Sequence, residues 1–530
     1  MYMENLRLSA KQYIIAITVA IACFLPPFIG EATNIVLPEM LNSFGLTAAD
    51  GGYWNLYGWI LTVYLLTSTV FLIPAARLSD KFNKKWFFCI GVLLLGVGSL
   101  GVGLSTSGEM VLAMRTIEGI GNALMFGTAI ALLASAVKVE LRGTAIGVAM
   151  TGVFMGQLLG PLLAGALTEA FGWSTVYLIL CPIALISFFL AIPFIPKDVP
   201  TDKGRFDWIG ALLFMFGMGS ALYGFSQLPK TVSFGPLVAG IIFLIIFYLY
   251  EKKNANPIIP IDLIRHNKGF TFNNSANLLY YIAIYAMGSL VSLYMSELWG
   301  IDPLPRALII TTQGLILVLF TIVAGKFYDH LLPRWLLAIG AVLTIIGIAG
   351  IFLMGQASAD PVWLIGAVLL GSIAAFGIGS LILTGIDRLI KNAPPKYATT
   401  TGLIIIALGM IVLLTCNVET AIWSMIAVEA FFGVGIAIFV TPNSTAIMNS
   451  VTEQEYGMAS GTLSTTRMLG MAVSIGIVSI LKNIFLANTT EGTYPAAFLQ
   501  MLDGFIIAAL IVLILAMILS WTAGSGDNAS

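Results

Sequence analysis

Residues 108–167 read GEMVLAMRTIEGIGNALMFGTAIALLASAVKVELRGTAIGVAMTGVFMGQLLGPLLAGAL and contain two apolar runs joined by a short charged turn. Each run is long enough to cross a bilayer as a helix, which takes about twenty residues. The first run carries Arg115 and Glu118 one helical turn apart, and the second carries a series of glycines from Gly143 to Gly165. Glycine has no side chain, so one face of the second helix is open to close approach by another helix. The stretch predicts two membrane helices that bring a buried charge pair beside a closely packed helix.

Composition extends this prediction to the whole chain. The protein has 530 residues, of which 58% are hydrophobic and 10% are charged, and its mean hydropathy is +0.97. Soluble proteins carry about 25% charged residues, so the sequence predicts an all-α polytopic membrane protein. The formal net charge of −1 gives no reason to expect a nucleic acid partner. The four cysteines have no C-x-x-C spacing, so we expect no disulfide, no metal site and no cofactor.

Hydropathy predicts sixteen membrane segments. They are 12–37, 54–76, 86–105, 108–135, 143–168, 173–195, 207–227, 233–250, 270–299, 307–328, 333–355, 361–387, 397–416, 421–448, 457–481 and 498–521.

The positive charges predict the orientation of these segments. Of the 25 lysine and arginine residues, Arg115 and Arg467 lie inside segments, and Lys230, Arg306 and Lys482 lie in loops on one side. All the others fall on the opposite side, which the positive-inside rule assigns to the cytoplasm together with both termini. The longest loop, 251–269, leaves no room for a soluble catalytic domain, so we expect no enzyme. No nucleotide-binding loop occurs, so any transport must be driven by a gradient.

The chain resembles itself at an offset of 314 residues. Gly119, Gly121, Gly143, Gly147 and Gly156 fall on Gly433, Gly435, Gly457, Gly461 and Gly470, and Arg115 falls on Glu429. A second match, at an offset of 307, places Asp80, Lys81 and Lys84 on Asp387, Arg388 and Lys391. Many transporters are built from repeated halves with polar groups at their interface.

Glu31, in the first segment, is the first candidate for chemistry. An ionisable group costs several kcal/mol in hydrocarbon unless it is paired or faces a water-filled cavity. Helix geometry puts Glu31 and Arg115 at similar depths, about 10 Å below the outer surface. One reading makes Glu31 a carrier that holds a proton until a cation arrives, because burial disfavours the charged form and a nearby cation favours it. The other reading is a fixed structural ion pair with Arg115.

The other intramembrane charges have two readings as well. Glu118 shares a helix face with Arg115 and either carries protons or neutralises that arginine. Glu429 and Arg467 lie at mid-depth in the second half, where they are expected to form the corresponding pair. We take Glu31, Glu118 and Glu429 as candidate proton-coupling residues, with Arg115 and Arg467 as their charge partners.

Three motifs resemble those of one known family. Residues 76–85, ARLSDKFNKK, are similar to the cytoplasmic motif G-x-L-a-D-r-x-G-r-k, and residues 115–121, RTIEGIG, are similar to the motif R-x-x-q-G-x-G. Residues 156–165, GQLLGPLLAG, closely match G-x-x-x-G-P-x-x-G-G. The family is the major facilitator superfamily, and within it the fourteen-helix branch of drug:proton antiporters. The resemblance implies a conformational switch at Arg77, Asp80, Lys81, Lys84 and Lys85, and an exporter-type helix at Gly156, Gly160, Pro161 and Gly165.

The sequence departs from this family in two ways. The first helix ends in NIVLP, similar to the family's D-x-T-I-V-N-V-A-L-P, but Ile29 then occupies the aspartate position and Glu31 the threonine position. The acid has therefore moved about 200° around the helix. The sixteen predicted segments also exceed the fourteen of the branch, which places an extra helix pair within 333–416. The sequence does not say which pair this is.

The predicted architecture is an N-terminal six-helix half (1–196), a linker with an extra helix pair (197–269) and a C-terminal half (270–530). The resemblance implies a proton-coupled exporter of amphipathic or cationic small molecules in the bacterial inner membrane, working by alternating access. Its expected partners are its substrate, protons and the lipid bilayer, with an accessory efflux protein as a further candidate, and it is expected to be monomeric. Two alternatives stay open: a proton-coupled or passive importer of a nutrient or lipid-like molecule, and a membrane scaffold or sensor that transports nothing.

Overall fold

A computed structural model gives the fold. It describes residues 8–47, 51–137, 141–196, 206–254, 257–259, 261–327, 342, 345, 360–389, 395–417, 420–451, 456–486 and 493–523. Within these residues the regular structure is helical, without strands. The helices of the first part are α1 (Ala10–Ser43), α2 (Gly51–Lys81), α3 (Lys84–Gly103), α4 (Gly108–Ala136), α5 (Arg142–Phe171), α6 (Trp173–Leu178), α7 (Leu180–Phe194), α8 (Trp208–Ser226) and α9 (Phe234–Glu251). They are followed by α10 (Ile261–His266), α11 (Lys268–Leu293), α12 (Pro303–Phe327), α13 (Pro361–Leu389), α14 (Pro395–Leu414), α15 (Ile422–Asn449), α16 (Tyr456–Phe485) and α17 (Tyr494–Ala523).

The membrane segments predicted from hydropathy correspond to these helices. Fourteen helices in the described part of the chain are long and apolar enough to cross a membrane, with α6 and α7 counted as one span, Trp173–Phe194. Helix α12, with 25 residues, occupies a further predicted segment. The predicted segment 333–355 lies outside the described residues. The all-α polytopic fold is therefore confirmed.

Helix α1 shows how local sequence and packing combine. Ser9 caps its first turn, and Gln12 reaches back to the backbone of Ser9, which completes a capping box. The helix then continues through Pro26, Pro27 and Pro38 without a break. A proline inside a helix removes one backbone hydrogen bond and costs about 3 kcal/mol. Packing of α1 against its neighbours must offset this cost, and most of that packing is on α5.

The glycines of α5 allow α1 to approach it closely. A Cβ atom on Gly152 would lie 2.0 Å from the carbonyl oxygen of Ala20, and one on Gly156 would lie 2.5 Å from that of Phe24. No larger residue fits at either position without moving a helix. Gly165, further along α5, faces α12 instead. The expected close approach on this face is present, and α5 packs on both halves of the protein through it.

The internal repeat is visible in the packing of the glycines. Gly156 of α5 lies against the carbonyl of Phe24 in α1, and Gly470 of α16 lies against that of Leu278 in α11, where a Cβ would approach to 2.7 Å. The two glycines are separated by the offset of 314 found in the sequence. Helix α16 therefore packs on α11 as α5 packs on α1.

A second set of glycines extends the correspondence. Gly121 of α4 faces the backbone of Gly91 in α3, and Gly435 of α15 faces that of Gly402 in α14. Helix α2 packs on α4 and α12 packs on α15, while α5 contacts α12 and α2 contacts α16 across the interface. We infer two six-helix halves, α1–α7 and α11, α12 and α14–α17, although the boundaries at residues 196 and 269 stay predictions.

Three described membrane-spanning helices have no counterpart in this scheme. Helices α8 and α9 pack on each other, and α8 also contacts α2 and α16. Helix α13 packs on α12 and α15. Because α14 corresponds to α3, we infer that the second extra pair precedes α14 and includes α13. The motif-like residues Asp387, Arg388 and Lys391 have no described side chains.

Candidate functional site

A cavity lies between the two halves and opens toward one end of the helix bundle. We call this the basic end, because it carries the first residues of α1 and the α2–α3 turn with Lys84 and Lys85. The lining reaches Ser444 near the last turns of α15 and Ser460 near the start of α16. The cavity encloses about 1570 Å³ of empty space, its open mouth included. Its charged and amide lining residues are Glu31, Asn34, Gln157, Asn277, Gln313 and Arg467. Its aromatic lining residues are Phe126, Phe154, Tyr280, Tyr281 and Tyr285.

Glu31 faces this cavity from α1. It is placed there by α5, because a Cβ on Gly160 would lie only 2.9 Å from the Cβ of Glu31. Among the described residues Glu31 has no ion-pair partner, and it is surrounded by Asn34 and the tyrosines of α11. A carboxyl group on the wall of a cavity, with no cation beside it, is available to a ligand and to protons.

The expected contact between Glu31 and Arg115 does not occur in this structure. Thr33, two residues after Glu31, accepts a hydrogen bond from Arg115 instead. Two residues correspond to a rotation of about 200° around a helix, so the two side chains point in nearly opposite directions. The face of α1 that carries Thr33 packs on α4 and α6, and the face that carries Glu31 lines the cavity.

Arg115 and Glu118 form a buried ion pair outside the cavity. Their closest nitrogen and oxygen atoms are 3.1 Å apart, and both side chains are almost fully buried. Arg115 also donates to the hydroxyl of Tyr177 at 2.6 Å, and Glu118 accepts from Ser99 at 2.6 Å. The pair joins α1, α3, α4 and α6. This geometry matches the reading in which Glu118 neutralises the arginine.

Glu429 and Arg467 do not form the pair that the sequence suggested. Neither carboxyl oxygen of Glu429 has a hydrogen-bond partner among the described residues, although its side chain is buried. Glu429 lies near the start of α15, at the end opposite the mouth, and interacts electrostatically with Glu31. Arg467 lies nearer the basic end, with its guanidinium group 5.0 Å from the ring centre of Phe126. Their different depths keep the two charges apart.

The end opposite the basic end is closed by contacts between the halves. Arg306 of α12 is fully buried and forms an ion pair with Glu39 of α1. Tyr53 of α2 donates a hydrogen bond of 3.0 Å to Glu297, just after α11. These contacts join the halves at that end, whereas the described lining of the cavity extends toward the basic end.

Replacing Arg306 with Gln is expected to loosen this closure. Breaking a fully buried ion pair by removing one partner costs about 3–5 kcal/mol. The cost here is expected to be lower, because the Glu39 side chain that loses its cation is 27% exposed. A cysteine introduced at Ser289, which is buried behind the closure, should then react at least about tenfold faster with a membrane-impermeant maleimide added at the opposite end. Lys230→Gln, which removes an exposed charge at the same end, should leave the rate unchanged. An equal rate in Arg306→Gln and the parent protein would contradict a closing role.

The residues of the cytoplasmic-type motif fasten several helices together at the basic end. Lys84 forms an ion pair of 3.1 Å with Asp80, and Lys85 donates a hydrogen bond of 2.6 Å to the carbonyl of Ile192 at the end of α7. Arg77 donates to the carbonyl of Ile258, which follows α9, at 2.9 Å. Lys81 lies 6.0 Å from the ring centre of Phe206. The motif therefore connects α2 and α3 to α7 and to the extra helices α8 and α9.

Sequence reasoning missed Glu39 and Arg306, and it also missed the amide side chains of the cavity. Arg306 was counted as a loop residue because it lies three residues after the start of α12. The available signal was Glu39 at the matching end of α1, one helical turn before its last residue. The amides of the cavity could have been predicted from their position, because Asn277 and Gln313 are polar residues inside apolar helices.

Together these features define a class: a polytopic helical carrier with a central cavity between two repeated halves, closed at one end. A family model for the Major Facilitator Superfamily matches residues 19–371. The chain belongs to this superfamily of membrane transporters.

Curated relatives agree with this assignment and differ in their substrates. The chain is 24% identical over 500 residues to the riboflavin transporter RibZ of Clostridioides difficile (strain 630), covering 94% of this chain and 93% of that protein. It is 23% identical over 491 residues to the multidrug resistance protein Stp of Mycobacterium tuberculosis (strain CDC 1551 / Oshkosh), covering 90% of this chain and 77% of that protein. It is 23% identical over 485 residues to the methylenomycin A resistance protein of Bacillus subtilis (strain 168), covering 90% and 89%. The drug-resistance relatives are consistent with the fourteen-helix antiporter branch.

Solved structures support the fold. The POT family transporter PepTSo matches with a TM-score of 0.65 at 13% identity, covering 98% of this chain and 99% of that chain. A bacterial homologue of the human lysosomal transporter Spinster, in an inward-facing and unoccupied conformation, matches with a TM-score of 0.59 at 14% identity, covering 98% of both chains.

Proposed function

We propose that the protein exports amphipathic small molecules across the bacterial inner membrane in exchange for protons. The observation that carries this proposal is Glu31, a carboxyl group without an ion-pair partner among the described residues, on the wall of a cavity that opens at one end. Such a group is costly in hydrocarbon and is kept where it binds ions or substrate. The drug-resistance relatives support export, and the riboflavin transporter leaves the substrate class wider.

The mechanism begins in the described conformation, with the basic end facing the cytoplasm. A substrate enters between the tyrosines of α11 and places a cationic or donor group beside Glu31. An approaching cation favours the ionised carboxylate, so the proton leaves as the substrate binds. Opening the Glu39–Arg306 closure then exposes the cavity to the other side. A proton taken up there releases the substrate and resets the carrier.

Glu429 is proposed as a second proton carrier. Glu429 is buried, and its carboxyl oxygens have no hydrogen-bond partner in the described part of the chain. It also interacts electrostatically with Glu31. Two buried carboxylates that interact electrostatically cannot both ionise cheaply, so a proton is expected to be shared between them. Glu429 lies near the start of α15, toward the closed end of the bundle, where a proton from that side would arrive first. Glu118, which is bonded to Arg115 and Ser99, is assigned to the ion pair and not to proton transfer.

Flux in liposomes tests coupling and direction together. The purified protein is reconstituted with the basic end outward, and a pH gradient with an acidic interior is imposed. An exporter should accumulate an external rhodamine dye, supplied as its carboxylic acid or as its methyl ester. An importer coupled to protons should accumulate dye under the opposite gradient, and a scaffold should accumulate none under either. Equal accumulation with and without a gradient would contradict proton coupling.

A further inference from the structure

Two charges of opposite sign, each without an ion-pair partner among the described residues, face the same cavity at different depths. Glu31 approaches from α1, and Arg467 approaches from α16 in the other half. Within the described residues no ion pair joins them or occupies either one, and the Nε atom of Arg467 is buried without a hydrogen-bond partner. A ligand that fills this cavity therefore meets an acidic pole at its deep end and a basic pole nearer its mouth.

The wall between these poles is suited to a flat ring system. The rings of Tyr280 and Tyr281 lie 4.7 Å apart, and Tyr285 continues the same helix toward Glu31. On the other side, Phe126 stacks with the guanidinium group of Arg467 at 5.0 Å. Aromatic walls favour aromatic ligands through offset and edge-on contacts. Amides such as Gln157 and Gln313 add hydrogen-bonding groups around this apolar body.

We propose that the cavity selects dipolar aromatic compounds, with a cationic or N–H donor group at Glu31 and a carboxylate or similar anionic group at Arg467. This deepens the proposed function and rests on it, because it takes the cavity as the transport site. A simple lipophilic cation satisfies Glu31 but leaves Arg467 unpaired and is repelled by it. A carboxylate forms charge-assisted hydrogen bonds with a guanidinium group, which are stronger than neutral ones. Arg467 thus favours binding of the dipolar ligand and disfavours binding of the purely cationic one.

A matched pair of dyes tests the proposal by equilibrium binding. A rhodamine carboxylic acid and its methyl ester share one cationic ring system and differ in the anionic group. Fluorescence anisotropy with the purified protein in detergent should show the acid binding about tenfold more tightly than the ester, as expected for one charge-assisted hydrogen bond to a buried partner. Arg467→Gln should abolish this preference by weakening the acid alone. Arg467→Lys, which keeps the charge, should retain part of it.

The controls separate charge from misfolding. Arg265→Gln removes an exposed arginine on α10, outside the cavity, and should keep the wild-type preference. Glu31→Gln should weaken both dyes equally, since both carry the cationic rings. Equal affinities in the wild type, an unchanged preference in Arg467→Gln, or no binding of either dye would each overturn the proposal.

The binding test is independent of the flux test. Binding in detergent needs no gradient, so a preference for the acid without gradient-driven flux would contradict proton coupling and keep the ligand class. Gradient-driven flux of both dyes with equal affinities would keep the proposed function and overturn the ligand class.

Discussion

Replacing Glu31 with Gln is expected to abolish gradient-driven accumulation of dye in liposomes, down to the level of protein-free liposomes. Glutamine keeps the size and hydrogen-bonding capacity of the side chain but cannot exchange a proton. The cavity stays intact, so exchange of dye between the two sides without a gradient should continue. Binding of dye to the wild type should release protons into a weakly buffered solution, and binding to the variant should not. A pH indicator measures this release directly.

The control for this variant is Glu109→Gln, which changes an exposed carboxylate in the first turn of α4. It should accumulate dye as the wild type does. Glu429→Gln should reduce accumulation, because it removes the second proposed carrier. Full gradient-driven accumulation by both Glu31→Gln and Glu429→Gln would rule out the proposed proton path.

Replacing Gly156 with Ala is expected to destabilise the protein by about 1–3 kcal/mol, the usual cost of overpacking a close interface. The new Cβ would lie 2.5 Å from the carbonyl oxygen of Phe24 and 3.1 Å from the backbone nitrogen of Phe28, so α1 and α5 must move apart. Glu31 lies three residues after Phe28 in α1, so its position in the cavity depends on this contact. We expect a lower thermal unfolding midpoint, together with weaker dye binding.

Gly147 provides the matched control in the same helix. A Cβ there meets nothing within 4 Å, so Gly147→Ala should be neutral or stabilising by up to about 1 kcal/mol through helix propensity. The repeat offers the same comparison in the second half, where Gly470→Ala should destabilise and Gly461→Ala should not. If Gly156→Ala and Gly147→Ala unfold at the same temperature, the close approach is not what holds the two helices together.

The repeat shows how far sequence reasoning reached. The offset of 314 correctly paired Gly156 with Gly470 and Gly121 with Gly435, because a helix that must approach another backbone closely requires glycine at that position. The segment that forms α13 was predicted as 361–387, but it was not recognised as an extra helix, because hydropathy does not distinguish a core helix from a peripheral one. Only the packing of Gly435 on Gly402 identified α14 as the counterpart of α3.

The site was predicted less completely, for a related reason. The sequence singled out Glu31, Arg115, Glu118, Glu429 and Arg467, because charge inside an apolar run is visible without a structure. The structure buries Arg115, Glu118 and Glu429 and places Glu31 and Arg467 on the cavity wall. It placed Glu31 and Arg115 at similar depths, which left an ion pair between them open. Depth does not reveal the rotation of α1, which turns Thr33 toward the arginine instead. It missed the Glu39–Arg306 pair because each residue lies near a helix end and looks solvent-exposed in the sequence.

The membrane class, the helical architecture and the repeat of the halves follow from the amino-acid sequence alone, because hydropathy, segment length and glycine spacing are local properties of the chain. The tertiary structure decided which charges pair, which of them face the cavity and which end is closed. These properties depend on the rotation and depth of each helix against its neighbours, and many distant contacts fix them together.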